Sequence, residues 1–120
     1  MKVFFIAVMI FIAVPLTGHT PKNIGLDYDA ETGMLSVEIK HGVNDPLKHF
    51  INKVVVELDG KKHVEQYFGK QADGENQRAI YKIIDAEEGS TLTVIAYCNI
   101  SGRRKADLEV TLKKDEVIKD

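Results

Sequence analysis

An all-β fold, an immunoglobulin-like antiparallel β-sandwich of about seven strands, is predicted by three properties of this sequence. Apolar residues recur at every second position in short runs, most clearly Leu35, Val37 and Ile39 against Ser36 and Glu38. β-branched residues, which pack well on a pleated surface, crowd another run as Val54, Val55 and Val56. Turn residues separate the runs at intervals of roughly ten residues, and no segment after residue 20 carries apolar positions at helical spacing for long enough to require a helix.

The elements follow in order. A short strand is expected over Gly25 to Asp29 and an alternating one over Met34 to Ile39. The valine-rich run His49 to Leu58 is a longer strand. Asp59-Gly60 behind it suits a two-residue hairpin, in which both central residues need positive φ. Lys62 to Phe68 is then the returning strand, and Gly69 to Asn76, polar and holding two glycines, is a loop. Arg78 to Ile84 and Thr91 to Cys98 are further strands, with Gly89 in the turn between them. Ala106 to Leu112 alternates again and faces Ala106, Leu108, Val110 and Leu112 inward.

Ahead of this domain, Lys2 is followed by an apolar run from Val3 to Leu16. A basic start and an apolar stretch of this length describe a secretory signal peptide within residues 1–20, cleaved between Ala13 and Thr20. The run is shorter than the ~20 residues of a membrane-spanning helix. The expectation is an exported protein, periplasmic or extracellular, whose domain covers residues 21–120 and which meets a membrane only through an uncleaved leader. Loss of residues 1–18 removes Lys2 and no acid, leaving 15 basic and 18 acidic residues and a formal charge of −3. Such a balance excludes a nucleic-acid partner, because a phosphate backbone needs a cationic face. The clusters Arg103-Arg104-Lys105 and Lys113-Lys114 read as solvated surface.

Cys98 is the only cysteine, so no intramolecular disulfide exists. Counting by twos, it shares a face with Leu92, Val94 and Ala96, the core side of its strand. A small buried thiol, a reactive group, an intermolecular partner and a metal ligand are all open to it. Among the four histidines, His63 lies in a polar strand and reads as exposed, and His19 lies at the leader boundary. His41 and His49 flank the turn-forming Asn44-Asp45-Pro46, so their rings sit at the two ends of one loop and can converge. No Ser-His-Asp set, glycine-rich phosphate loop, paired-cysteine motif or HExxH is present, so hydrolase and nucleotide chemistry find no support.

His49-Phe50-Ile51 heading a valine-rich strand, Asp59-Gly60 behind it, and Tyr97-Cys98-Asn99-Ile100 before Gly102 together resemble the iron-binding domain of superoxide reductases, the desulfoferrodoxin and neelaredoxin family. The resemblance spans about Met34 to Val110. It implies an immunoglobulin-like sandwich holding mononuclear non-haem iron through four histidines and an axial cysteine thiolate, with superoxide as oxidant and a small redox protein as electron donor. Carried over, Cys98 matches the axial thiolate, His49 the histidine of the His-aromatic-Ile word, and His41 the histidine upstream of it. Ser101 stands where that family has a further histidine, three residues after the cysteine. His41 and His49 are eight apart, where the family's pair is six apart. An early histidine has no counterpart except His19, and Arg103-Arg104 replaces an apolar pair after the glycine. Ser101, Asn99 and Asn44 are the nearby side chains in line to replace the absent imidazoles. A shorter likeness, Lys48 to Val56, is to the cysteine-free small subunit of thiosulfate-oxidation sulfur carriers. It implies a metal-free sandwich that pairs with a partner subunit.

Overall fold

The structure, a computed structural model, describes residues 20–112. The leader up to residue 19, with His19, and the tail from residue 113 lie outside the described residues. Seven strands form two antiparallel sheets. One is three-stranded, in the order β1-β2-β5, from β1 (Asn23–Asp29), β2 (Met34–Lys40) and β5 (Asn76–Lys82). The other is four-stranded, in the order β4-β3-β6-β7, from β3 (Ile51–Leu58), β4 (Lys61–Tyr67), β6 (Thr91–Cys98) and β7 (Arg103–Glu109). The chain crosses between sheets after β2, β4 and β5, and the expected all-β sandwich is the fold observed.

The alternation read along β2 is real: Leu35, Val37 and Ile39 are buried, and the residues between them are exposed. Their partners across the sandwich are Val54, Val56 and Leu58 from β3 and Leu92, Val94 and Ala96 from β6. Each large aliphatic side chain fully buried here contributes roughly 1.5–3 kcal/mol relative to exposure. Asp59 and Gly60 both have positive φ, 51° and 83°, so the two-residue hairpin has the mirror-image geometry that matches strand twist.

Among the strand boundaries that differ from the sequence reading, three have a local reason. β3 begins at Ile51, because the Asp45 carbonyl accepts the N–H groups of both Lys48 and His49 and winds Pro46–Lys48 into a turn. β5 starts two residues early, at Asn76, where it pairs with Lys40. β7 starts at Arg103, pairing with Tyr97. It is an edge strand whose first residues face water, so its apolar alternation becomes visible only from Ala106.

Two bulges interrupt β3. One sits between Val56 and Glu57, where His63 is the extra residue on β4. The other lies between Ile51 and Lys53, opposite Cys98 and Tyr97, with Asn52 the extra residue. Bulges re-aim the chain locally, and this one lies where β3 emerges from the turn that carries His49.

Candidate metal centre

His41 is the first residue past β2, His49 lies two residues before β3, and Cys98 is the last residue of β6. All three stand at the same end of the sandwich, and their ligand atoms all lie within 4.8 Å of one another. His41 and Cys98 are buried and His49 is half-buried. The two imidazole rings meet edge to face, centroids 4.8 Å apart and planes at 90°. Three points bounded by 4.8 Å share a centre no more than about 2.8 Å from each, against the about 2.0–2.3 Å of nitrogen and sulfur bonds to a transition ion. Closing the triangle onto an ion therefore takes at most about 0.5–0.8 Å of movement per donor. The thiol is not sealed among aliphatic neighbours with the rings turned to water; the rings share its pocket.

Side-chain amides hold this arrangement. Gln71, 2% exposed, uses its whole hydrogen-bonding capacity. Its Oε1 faces His41 Nδ1 at 2.8 Å and accepts the Ile51 N–H at 3.1 Å. Its Nε2 donates to the carbonyls of His41 at 2.9 Å and Asp73 at 3.0 Å. Because an amide oxygen only accepts, the proton of the His41 ring is on Nδ1, and Nε2 carries the lone pair. A ligating histidine needs that orientation of its far nitrogen.

Gln77, also buried, donates from Nε2 to the carbonyls of Ile51 and Lys70 and accepts the Ala72 N–H on Oε1. The two glutamines thereby take both backbone groups of Ile51, two residues from His49. Gln71 N–H also donates to the Pro46 carbonyl, Val43 N–H to Gly74 and His41 N–H to Glu75, so the loop 68–75 lies along the loop 41–50 like an added strand. Asp73 turns that bracing loop by accepting the N–H groups of Glu75 and Asn76. Those bonds, with Arg78 beside it, hold its carboxyl below the usual carboxylate range.

Asn99, next to Cys98, ties the sulfur's strand to the histidine's turn. Its Oδ1 accepts the Phe50 N–H at 2.9 Å and its Nδ2 donates to the Lys48 carbonyl at 3.0 Å, one bond on each side of His49. Asn99 N–H also donates to the Phe50 carbonyl. An amide so engaged is a clamp between the strand of Cys98 and the turn of His49. Cys98 Sγ accepts the Ile100 N–H at 3.4 Å. Ser101 and Asn44 are exposed.

The residues that break the family pattern have structural work. Arg103 lies over the Tyr97 ring at 6.0 Å and Lys53 over the same ring at 4.4 Å, on the outer face behind Cys98. Arg104 Nε donates to the Pro21 carbonyl at 2.7 Å, which fastens the start of the domain to β7. Gly102, at φ +91°, lies against Thr20: a Cβ there would meet the Thr20 Oγ1 at 2.5 Å. His63 is exposed, as its polar strand implied, with Nε2 3.4 Å from Asp85 Oδ2. Neither glutamine was singled out by sequence, since no spacing marks an amide that will be buried.

The solved structures similar to this chain include two superoxide reductases. One is a superoxide reductase (1Fe-SOR) from Giardia intestinalis, 16% identical, matched over 78% of this chain and 98% of that one with a TM-score of 0.53. The other is a point variant of the superoxide reductase (neelaredoxin) from Archaeoglobus fulgidus in the reduced form. It is 18% identical, with coverage of 78% and 93% and a TM-score of 0.49. No family model matches the chain, and no curated protein matches it in sequence. The first likeness shows a shared fold: this chain has a superoxide-reductase-like β-sandwich.

Proposed function

We propose that this chain is an exported mononuclear metal-binding domain of superoxide-reductase type, with His41, His49 and Cys98 as its ligands. The observation that supports it is the meeting of two imidazoles and one thiol from three separate chain segments, on a sandwich of that fold. Among the described residues the group holds three donors. They fit a mononuclear transition ion of the thiolate-ligated kind and leave its remaining positions to water or substrate. Bound there, a redox-active ion supplies one-electron chemistry, and a thiolate donor stabilises its oxidised state.

The chain's own groups do the rest. Gln71 holds the His41 ring with Nε2 as the donor nitrogen, and Asn99 fixes the turn that presents His49. The half-buried side of His49 is the approach for a small oxidant, whereas His41 and Cys98 lie against the core. Reduction of superoxide consumes one electron and two protons to give hydrogen peroxide. The electron comes from a small redox protein.

The test uses the full chain loaded anaerobically with ferrous iron and then oxidised. One ion per chain, a sulfur-to-metal charge-transfer band lost in Cys98→Ser, and accelerated superoxide consumption are expected. A chain that takes up no transition ion, or one whose ion binding is untouched by Cys98→Ser, overturns the reading and leaves a metal-free binding module.

A further inference from the structure

The donor count and spacing point beyond a generic metal centre to a particular coordination. Resting on the ligand assignment above, we infer that His41, His49 and Cys98 form a trigonal two-imidazole, one-thiolate site that selects copper, bound as copper(I), in preference to five-coordinate iron.

Three observations carry this. First, among the described residues the group supplies three donors, and the side chain three places after the cysteine, Ser101, is exposed serine. Three protein donors hold ferrous iron only with its other positions filled by water or substrate, whereas copper(I) is satisfied by three, and two imidazoles with one thiolate in a trigonal set are a copper pattern. In its divalent state, too, copper heads the affinity order of first-row ions for a given donor set.

Second, the spacing suits a plane. Donors around a trigonal ion stand about 3.5–4.0 Å apart, whereas neighbouring donors around a five-coordinate ion crowd to about 3 Å. A triangle bounded at 4.8 Å reaches the wider arrangement with less closure. The perpendicular setting of the two rings also lets each present an edge nitrogen to a common centre without stacking.

Third, the surroundings are fixed and suit the ion's low charge. His41 is committed to one tautomer by Gln71, and Asn99 braces the peptide groups on both sides of His49. Cys98 Sγ accepts an N–H from Ile100, which disperses thiolate charge without a second cation. Two imidazoles, neutral when ligating, and one thiolate, with His41 and Cys98 buried, hold a monovalent ion with no net charge, the least costly state to bury.

The experiment loads the full chain with copper(I) under anaerobic conditions, in competition with a chromophoric copper(I) chelator, and examines it by copper-edge X-ray absorption. The expected result is one copper per chain with one sulfur and two nitrogen neighbours. His41→Gln and His49→Gln should each weaken binding by at least about tenfold. Two sulfur neighbours would mean that two chains share the ion through Cys98, and would overturn the inference. Four or more protein donors, or iron(II) that holds its place against an equivalent of copper(I), would overturn it as well. Those last results leave the metal-binding function standing, whereas failure to bind either ion removes both. The absorption measurement is made on the unaltered chain, so it stands even where a histidine variant folds poorly.

Discussion

The two ends of this sandwich are built by different means. At the end opposite the candidate metal centre, short backbone turns do the joining. Asp59-Gly60 closes β3 onto β4, Gly33 at φ +78° leads into β2, and Gly89 at φ +86° turns the chain into β6. The bonds there run backbone to backbone, such as Gly33 N–H to Asp29 and Val110 N–H to Ser90, or from backbone N–H groups to side-chain oxygens of Asp29, Thr32, Asp59, Glu88 and Ser90, none of them an amide. At the metal end the loops 41–50 and 68–75 are longer, and Gln71, Gln77 and Asn99 stitch them with side-chain amides. A turn made of backbone fixes only its own shape. A loop held by buried amides can be shaped around something else, and a site needs that freedom.

The difference can be broken most sharply at Gln71. Gln71→Leu keeps the bulk and strands three buried groups: the His41 ring N–H, the His41 carbonyl and the Ile51 N–H. At 1–3 kcal/mol for each stranded group, the metal-free chain should lose about 3 kcal/mol or more of stability. Urea unfolding measures this, and a loss under about 1 kcal/mol would refute the clamp. Metal affinity in the folded variant should fall by about 10–100-fold.

Two glycines compare the ends directly. Gly60 and Gly102 share positive φ, yet a Cβ on Gly60 meets nothing within 4 Å and one on Gly102 meets Thr20. Gly60→Ala should cost about 1 kcal/mol of backbone strain alone. Gly102→Ala should cost about 2–3 kcal/mol and release the start of the domain from β7, seen as proteolysis near Thr20. Equal losses in the two variants would remove the distinction.

The smallest effect belongs to the tyrosines of the three-stranded sheet. Tyr28 donates its hydroxyl to the Ile83 carbonyl at 2.6 Å, whereas the buried Tyr81 hydroxyl has no hydrogen-bond partner. Tyr81→Phe should therefore be neutral or stabilising by up to about 1 kcal/mol, and Tyr28→Phe destabilising by about the same. Burial pushes the Tyr81 hydroxyl up to about 12 from 10.0, so the native state keeps a proton that the unfolded chain releases. Stability linked to it is whole below pH 10 and falls as pH rises through 12, which Tyr81→Phe should abolish in an alkaline unfolding series.

Much of this was legible in the residue order, because the features that carry it are local. Leu35, Val37 and Ile39 declare a half-buried strand by their spacing, and Asp59-Gly60 declares its turn by its conformational tolerance. His41, His49 and Cys98 were marked by the loop they flank and the words around them, and the fold brings them together. Gln71 and Gln77 carried no mark, and Asn99 was marked as a neighbour of Cys98 and a stand-in for an imidazole rather than as a clamp. Their roles depend on which carbonyls and N–H groups the two sheets bring within reach, a property of tertiary position. His49 itself was misplaced onto a strand, because the carbonyl of Asp45 competes for its N–H.

The placement of the three donors has a mechanical consequence. His41 hangs from the three-stranded sheet, while His49 and Cys98 belong to the four-stranded one. An ion caught among them would rivet layer to layer across the seam, the task a cystine performs in many secreted sandwiches. With a single cysteine per chain, this molecule would own a rivet that opens whenever its ion is withdrawn, so its rigidity would follow the supply of that ion.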